Sequence, residues 1–439
     1  MTKKQLLSAA IIVALSGAST AVHAAGFQLN SQSATGLGRA FAGDAVIADN
    51  ASVAARNPAA MALFKEANFS LGFNFIDTDV RVKSGTYHQP KITTSIFPPS
   101  VDFDSNAFDI GGTDGIGASS FVPNMHLVMP INEQWAWGLS AYSNFGTGTE
   151  FDDDFAASLF GGTTSVKSMN FAANVSYLIN EQWSVGAGLD LIYGMGDLKR
   201  GFDAELCNKP LFGEEECRTV KEDVIDVEAT GFAVGWNIGA VYELNENHRF
   251  GLSYRYSPTV KADGDDPTDK IDLPLPDMAE FSGYHRLTDK FAAHYSLQWV
   301  QWSAFNSLQL QTQSDLFGIL PSMAIDKAYE WKDAGHISIG GTYYLNDSWT
   351  LRTGYMYDIA ATDELMSISI PDSNRHWFSA GFTYHPDSKQ SIDFGFTYLM
   401  GEDVTFDESL SPSLPAPSIT GATTRSDAIL VGLQYSRSF

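Results

Sequence analysis

Ile392-Asp-Phe-Gly-Phe-Thr-Tyr398 alternates strictly, with Ile392, Phe394, Phe396 and Tyr398 on one side of an extended chain and Asp393, Gly395 and Thr397 on the other. The same period of two returns in Gly251-Leu-Ser-Tyr-Arg-Tyr-Ser257 and in Ala187-Gly-Leu-Asp-Leu-Ile-Tyr193, where Asp190 takes the polar side. Stretches such as His376 to Tyr384 alternate less well and are read as strands from their flanks. A soluble sandwich also alternates, so the connections between strands decide the fold class.

Short polar turns stand at Asn132-Glu133-Gln134, Asn180-Glu181-Gln182, Asn245-Glu246-Asn247, Thr288-Asp289-Lys290, Asn346-Asp347-Ser348 and Pro386-Asp387-Ser388. Trp135, Trp183 and Trp349 follow three of them, as an aromatic girdle at a membrane interface requires. Between the turns lie long polar segments near 81–119, 147–165, 196–226, 260–277, 306–325, 360–371 and 402–424. Six short and seven long connections join fourteen strands, the third near 134–146, the fifth near 182–196 and the tenth near 326–345. Tight turns on one side and long loops on the other are the pattern of an outer-membrane barrel. The expected fold is therefore all-β: a 14-stranded antiparallel transmembrane β-barrel over 67–439.

The ends agree. Lys3 and Lys4, an apolar run from Leu6 to Leu15 and small residues to Ala24 read as a signal peptide over 1–24, cleaved after Ala24. That run is too short to span a bilayer as a helix, and no later run is longer. The final strand carries Ile429, Val431, Leu433, Tyr435 and Phe439 on one parity, interrupted by Arg437. A formal charge of −25, or −27 without the two signal lysines, excludes nucleic acid as a partner. It leaves a membrane open, because a barrel meets lipid through apolar strands.

Residues 25–66 do not alternate; they are rich in small residues and suit short helical turns broken at Pro58. Phe27, Leu29, Leu37, Phe41 and Phe64 make this segment too apolar for a solvated tail. A fourteen-stranded barrel is wider than its own side chains can fill, so the expectation is a small N-terminal plug of short helices in the lumen.

Several stretches resemble the FadL family, the long-chain fatty acid transporters of the outer membrane. They are Ala25-Gly-Phe-Gln-Leu-Asn30, Gly36-Leu-Gly-Arg-Ala40, Ile47-Ala-Asp49, Arg56-Asn-Pro-Ala59, Val122-Pro-Asn-Met-His126, Pro130-Ile-Asn132 and Ile368-Ser-Ile-Pro-Asp372. The resemblance implies capture of a hydrophobic molecule outside, a pocket within the barrel, and sideways release through a gap where the third strand kinks. It implies no coupling to an energised inner-membrane protein. By resemblance Phe27 reaches the pocket, Asn57, Pro58 and Ala59 form the plug motif, and Asn144, Phe145 and Gly146 form the kink. Arg200, at the outer end of the fifth strand, and Lys332, in the tenth, match head-group contacts. On the residues alone, a lumen ion pair with a neighbouring acid such as Asp197 or Asp333 is the better reading of each cation, and Gly146 equally suits the start of a loop. The outer segments 196–226 and 260–277 look short for the family, so no groove residues are carried over.

Cys207 and Cys217, the only cysteines, lie in an oxidising compartment and suit a disulfide; a zinc site there lacks nearby His. Asp152 to Asp154 and the Asp263 to Asp269 stretch read as solvated loop, with lipopolysaccharide bridging as the alternative. Neither a metal nor another cofactor is expected. Gly-x-Ser-x-Gly and His-Glu-x-x-His are absent, and His126, His294 and His336 have no serine partner visible in sequence, so an enzyme is not expected. The expected partners are a long-chain fatty acid or another hydrophobic small molecule, including aromatic or aliphatic hydrocarbons, and outer-membrane lipid with its lipopolysaccharide. The chain is expected to act as a monomer. A general porin and an adhesin are the remaining rivals.

Overall fold

A computed structural model describes residues 26–265, 270–305, 307–311, 324–362, 365–409 and 417–439. The expected signal peptide and its cleavage site lie outside these, as do Asp266 to Asp269 of the acidic stretch and most of segment 306–325. Among the described residues, fourteen strands make the wall: β1 Asn68–Ile96, β2 Ser120–Pro130, β3 Trp135–Tyr142, β4 Thr163–Leu178, β5 Trp183–Lys209, β6 Glu216–Asn245 and β7 His248–Tyr256 form one half. The other half is β8 Met278–Thr288, β9 Phe291–Val300, β10 Ala334–Asn346, β11 Trp349–Asp358, β12 Arg375–Asp387, β13 Gln390–Gly401 and β14 Ser418–Ser438. Each strand pairs antiparallel with the next, and β14 returns to β1 from Asn68↔Ser438 to His88↔Ser418, which closes the cylinder. Closure removes the free edges that a bilayer would not tolerate.

Alternation places Phe121, Leu189, Phe232, Leu252 and Ile339 on the outer surface, each more than half exposed. So many large apolar side chains facing outward is a lipid-facing wall rather than a water-facing one. At the tight turns the first Asn folds its side chain back: Asn132 Oδ1 accepts from the Gln134 and Trp135 N–H groups at 2.9 and 2.8 Å, and Asn180 and Asn346 repeat this. The tryptophans that follow meet cross-strand tyrosines, Trp135 with Tyr177 at 4.6 Å, Trp183 with Tyr242 at 4.7 Å and Trp349 with Tyr384 at 5.0 Å.

The long connections differ from expectation. Segments 81–119 and 196–226 are not loops: β1 continues to Ile96 and is paired by a strand over Pro99–Asp109, while β5 and β6 stay paired to Asn208↔Glu216. The two projecting hairpins join where Lys91–Ser95 runs parallel to Glu205–Lys209. Beyond the bilayer neither face needs to be apolar, so pairing continues without the alternation that betrays a spanning strand. The predicted tenth strand begins later, at Ala334; residues Ala324–Ala328 pair instead with Ser307–Gln311.

Inside lies the chain from Gly26 to Phe64. A helical turn at Ala34–Leu37 is capped by Ser33, a 3-10 turn at Ala51–Ala55 by Asn50, and another at Pro58–Leu63 by Asn57 with Pro58 in its first turn. Inward glycines of the wall leave room for it. A Cβ at Gly239 would stand 1.9 Å from Asn57 Oδ1, and one at Gly354 2.1 Å from the Arg39 carbonyl oxygen.

Charge ties the segment to both sides of the wall. From β13 to β8 the partners alternate: Asp393–Arg352 (3.7 Å), Arg352–Asp49 (3.2 Å), Asp49–Arg39 (2.9 Å), Arg39–Asp44 (2.6 Å), Asp44–Arg56 (3.6 Å) and Arg56–Glu280 (3.4 Å). Burial alone would raise the Asp49 carboxyl, but Arg39 and Arg352 outweigh it and hold it below its usual value. That contribution is present above the ordinary carboxylate pKa of about 4 and is lost as the pH falls below it. Arg39→Met, which takes from Asp44 and Asp49 the nearest partner of each and leaves them only Arg56 and Arg352, is expected to cost about 3–5 kcal/mol in urea unfolding of the detergent-solubilised protein. Lys389→Gln, which breaks the exposed Lys389–Glu66 pair, is expected to cost less than about 1 kcal/mol.

Candidate functional site

Among the described residues, the ladder between β2 and β3 is interrupted. β2 and β3 pair from Pro130↔Ala136 to Met125↔Ala141 and no further. Ser143, Asn144 and Phe145 leave the ladder, and the strand resumes over Gly146–Glu150, paired with Thr163–Lys167 of β4. Above, Gly117 bridges Thr149, and the Ala118 N–H donates to the Gly148 carbonyl at 3.3 Å. The result is a window bounded by Met125 and Ala141 below and by Gly117 and Thr149 above. The predicted kink residues lie in it, with a refinement: pairing fails before Gly146, which is the first residue to pair again.

Backbone groups orphaned at the break find partners in the N-terminal arm. Gln28 forms an antiparallel bridge with Phe145; the Leu29 N–H donates to the Asn144 carbonyl at 2.7 Å, and the Gly146 N–H donates to the Phe27 carbonyl at 2.9 Å. Glycine at 146 allows the close approach, since a Cβ there would meet Leu29 Cδ1 at 2.7 Å.

A cavity of about 510 Å³ runs through the window. Its inner walls include Phe27, Leu29, Ile76, Val122, Trp377 and Leu399, and its outer lip includes Phe121, Met169, Tyr193 and Met195. Beneath the kink a second hollow of about 20 Å³ is polar, lined by Gln28, Gln32, Arg56, Asn144, Arg255 and Glu280 among others. The sideways path is thus apolar and the downward path charged.

Phe27 is buried among four rings: Trp302 at 4.7 Å, Phe305 at 5.3 Å, Trp331 at 5.6 Å and Phe145 at 5.9 Å. Asp372 and Arg375 hold the residue before it. The Gly26 N–H donates to Asp372 Oδ1 at 2.9 Å, Arg375 donates to the Gly26 carbonyl at 2.8 Å, and Asp372 Oδ2 accepts from the Ala361 N–H at 2.7 Å. Asp372 closes the quoted Ile368–Asp372 motif, but nothing in the sequence joined it to Gly26. Trp302 and Trp331 were missed as well: both fell within expected strands, Trp331 in the tenth over 326–345, where an aromatic carries no mark of a pocket.

The two predicted head-group cations part company. Arg200 is buried, donating to the carbonyls of Thr163 and Lys199, both at 2.7 Å, and to Thr164 Oγ1 at 2.6 Å, with no ion pair to Asp197. Lys332 lies before β10 rather than in it and is exposed, because Trp331 takes the inward position beside Phe27. Neither borders the 510 Å³ cavity. Asn57, Pro58 and Ala59 also lie away from it, near the tight-turn end, where Asn57 Nδ2 donates to the Ala45 and Ala240 carbonyls and Ser184 Oγ donates to Ala59 O at 3.0 Å. Cys207 and Cys217 are joined as a disulfide across the β5–β6 hairpin, which leaves no thiolate there for zinc.

A serine partner for His126, invisible in sequence, is supplied by the fold: Ser140 Oγ lies 3.0 Å from Nδ1. The pair is buried against the Gln32 carbonyl, 2.9 Å from Nε2, and borders neither of these hollows.

The profile of the family described as outer membrane protein transport protein (OMPP1/FadL/TodX) matches residues 15–439. A long-chain fatty acid transport protein of Salmonella typhi is 35% identical, over 93% of this chain and 95% of its own. Outer membrane protein P1 of Haemophilus influenzae is 34% identical over 99% of both chains. Among solved structures, a Pseudomonas aeruginosa FadL homologue has a TM-score of 0.75 at 20% identity, covering 94% of this chain and 100% of that one. The Pseudomonas putida toluene transporter TodX has a TM-score of 0.63 at 16% identity, covering 95% and 100%.

Phe27→Ala empties one ring from the aromatic group around Trp302 and Trp331 and is expected to cost about 3 kcal/mol. Tryptophan emission should shift to the red in the purified barrel while far-UV dichroism stays that of a folded sheet, and Phe27→Leu should restore most of the difference.

Proposed function

Because this chain belongs to the OMPP1/FadL/TodX family of outer membrane transport proteins, we propose that it takes up long-chain fatty acids by passive diffusion and releases them sideways into the outer membrane. The observation that carries this reading is the window between β2 and β3, through which an apolar cavity reaches the lipid-facing surface. An acyl chain gains roughly 0.8 kcal/mol per CH₂ on leaving water, so a long chain pays heavily for any aqueous exit. The axial path offers only the ion chain from Asp393 to Glu280 and a polar hollow, whereas the window offers Phe121, Met169 and Tyr193.

Residues 26–66 serve as the plug. Their inner part is anchored by Arg39, Arg56 and the Asn57-Pro58-Ala59 cap, and the arm from Gly26 to Leu29 lies along the window. Withdrawal of Phe27 and the arm opens the path from pocket to lipid. Arg200, buried and held by neutral oxygens, is the group that balances a cargo carboxylate before the window is reached. Fatty acids are favoured over hydrocarbons by this buried guanidinium and by the roughly one-third identity to relatives named for fatty acid transport, against 16% for the toluene transporter. Lipid and lipopolysaccharide surround the wall as solvent.

Continuing the β2–β3 register past Met125↔Ala141 sets Pro123 opposite Ser143. In a Cys207→Ser/Cys217→Ser background, Pro123→Cys with Ser143→Cys should close the window when oxidised. Cellular uptake of a sixteen-carbon fatty acid should then fall by at least about tenfold and recover with reductant. Unchanged uptake in the cross-linked protein would sink the sideways route.

A further inference from the structure

Three charged side chains line the cavity: Lys167, Arg375 and Asp427. Arg375 is engaged with Asp372 at 3.0 Å, and Asp427 with Arg425 at 2.8 Å. Lys167 alone has no hydrogen-bond or ion-pair partner among the described residues. It belongs to β4, directly opposite Gly146 on one side and Met195 on the other, and its side chain is exposed on the lipid-facing parity of Met169 and Phe171.

Its height is also particular. Tyr177, packed against Trp135 in the girdle beside the tight turns, is on the same strand. Lys167 stands about ten residues further along, which at about 3.3 Å per residue and a tilt near 40° is about 25 Å up the bilayer normal. That is roughly the full height of a barrel's apolar band, so the lysine sits at the outer interface, at the side of the window. A carboxylate cannot follow its acyl chain into hydrocarbon without a large desolvation cost and must stay at interfacial height while the tail passes. A lysine there can lay its stem along apolar surface and keep its ammonium among head groups.

From this placement we infer that Lys167 receives the carboxylate of the departing cargo at the lip of the window and thereby favours long-chain acids over neutral hydrocarbons. The inference rests on the sideways-exit reading. The anion could also come from a lipopolysaccharide phosphate, but Lys167 borders the cavity itself rather than the outer wall alone, which favours the cargo.

The test compares uptake of a sixteen-carbon fatty acid and the matching alcohol by the full-length protein in phosphatidylcholine vesicles free of lipopolysaccharide. Lys167→Gln should slow the acid roughly five- to tenfold, as expected for loss of one partly exposed charge contact, and leave the alcohol within about twofold. Lys167→Arg should restore the acid. Equal slowing of both cargoes, or of neither, overturns the assignment, as does a difference seen only once lipopolysaccharide is added. If the Pro123–Ser143 cross-link still stops both cargoes, that failure belongs to Lys167 alone; if it stops neither, the sideways exit itself has failed.

Discussion

A bilayer offers no partner to an unpaired amide or carbonyl, so every break in a membrane-spanning ladder has to be satisfied by the protein itself. In this barrel the break between β2 and β3 is completed by residues 27–29, whose backbone pairs with Asn144, Phe145 and Gly146. The same short arm therefore repairs the wall and carries Phe27 to the wall of the cavity. Its hydrogen bonds and its aromatic packing share three residues: the backbone that completes the kinked strand is the one that sets Phe27 against Trp302.

The rest of the interior holds that arm in register. An alternating chain of four acids and three arginines crosses the lumen from β13 to β8, and inward glycines such as Gly239 and Gly354 let backbone lie against backbone. Such a network is a poor source of net stability, since burying charges costs about what pairing them returns. It is a strong source of uniqueness, because any shift of the segment strands a charge. It also makes the axis of the barrel hostile to an acyl chain. Apolar and polar surface are thus divided by direction, sideways against downward, with Asn144 near the boundary, at the break above the polar hollow.

Much of this is legible in the sequence. Residues that meet lipid on one face and the lumen on the other must alternate, and tight turns must begin with residues such as Asn132 and Asn180 that fold their side chains back onto the backbone. Both are local requirements, readable within ten residues. The outer hairpins were not legible, because above the bilayer Pro99–Asp109 and Cys207–Cys217 pair without facing lipid and so carry no alternation. The position of Lys332 failed for a related reason. One neighbour, Trp331, decides which way it faces, and Trp331 is drawn inward by rings at positions 27, 302 and 305.

The chain alone therefore determined the cylinder, the side on which its turns lie, and the presence of a compact apolar segment ahead of the first strand, since each follows from periodicity and composition within a short stretch. Only the folded molecule decided that the β2–β3 ladder stops at Met125, that Asp372 holds Gly26, and that Lys167 stands at the lip of the opening. Those facts depend on which distant segments come to share a surface, and a backbone donor finds its partner by position in space, with no mark of that partner in the residues around it.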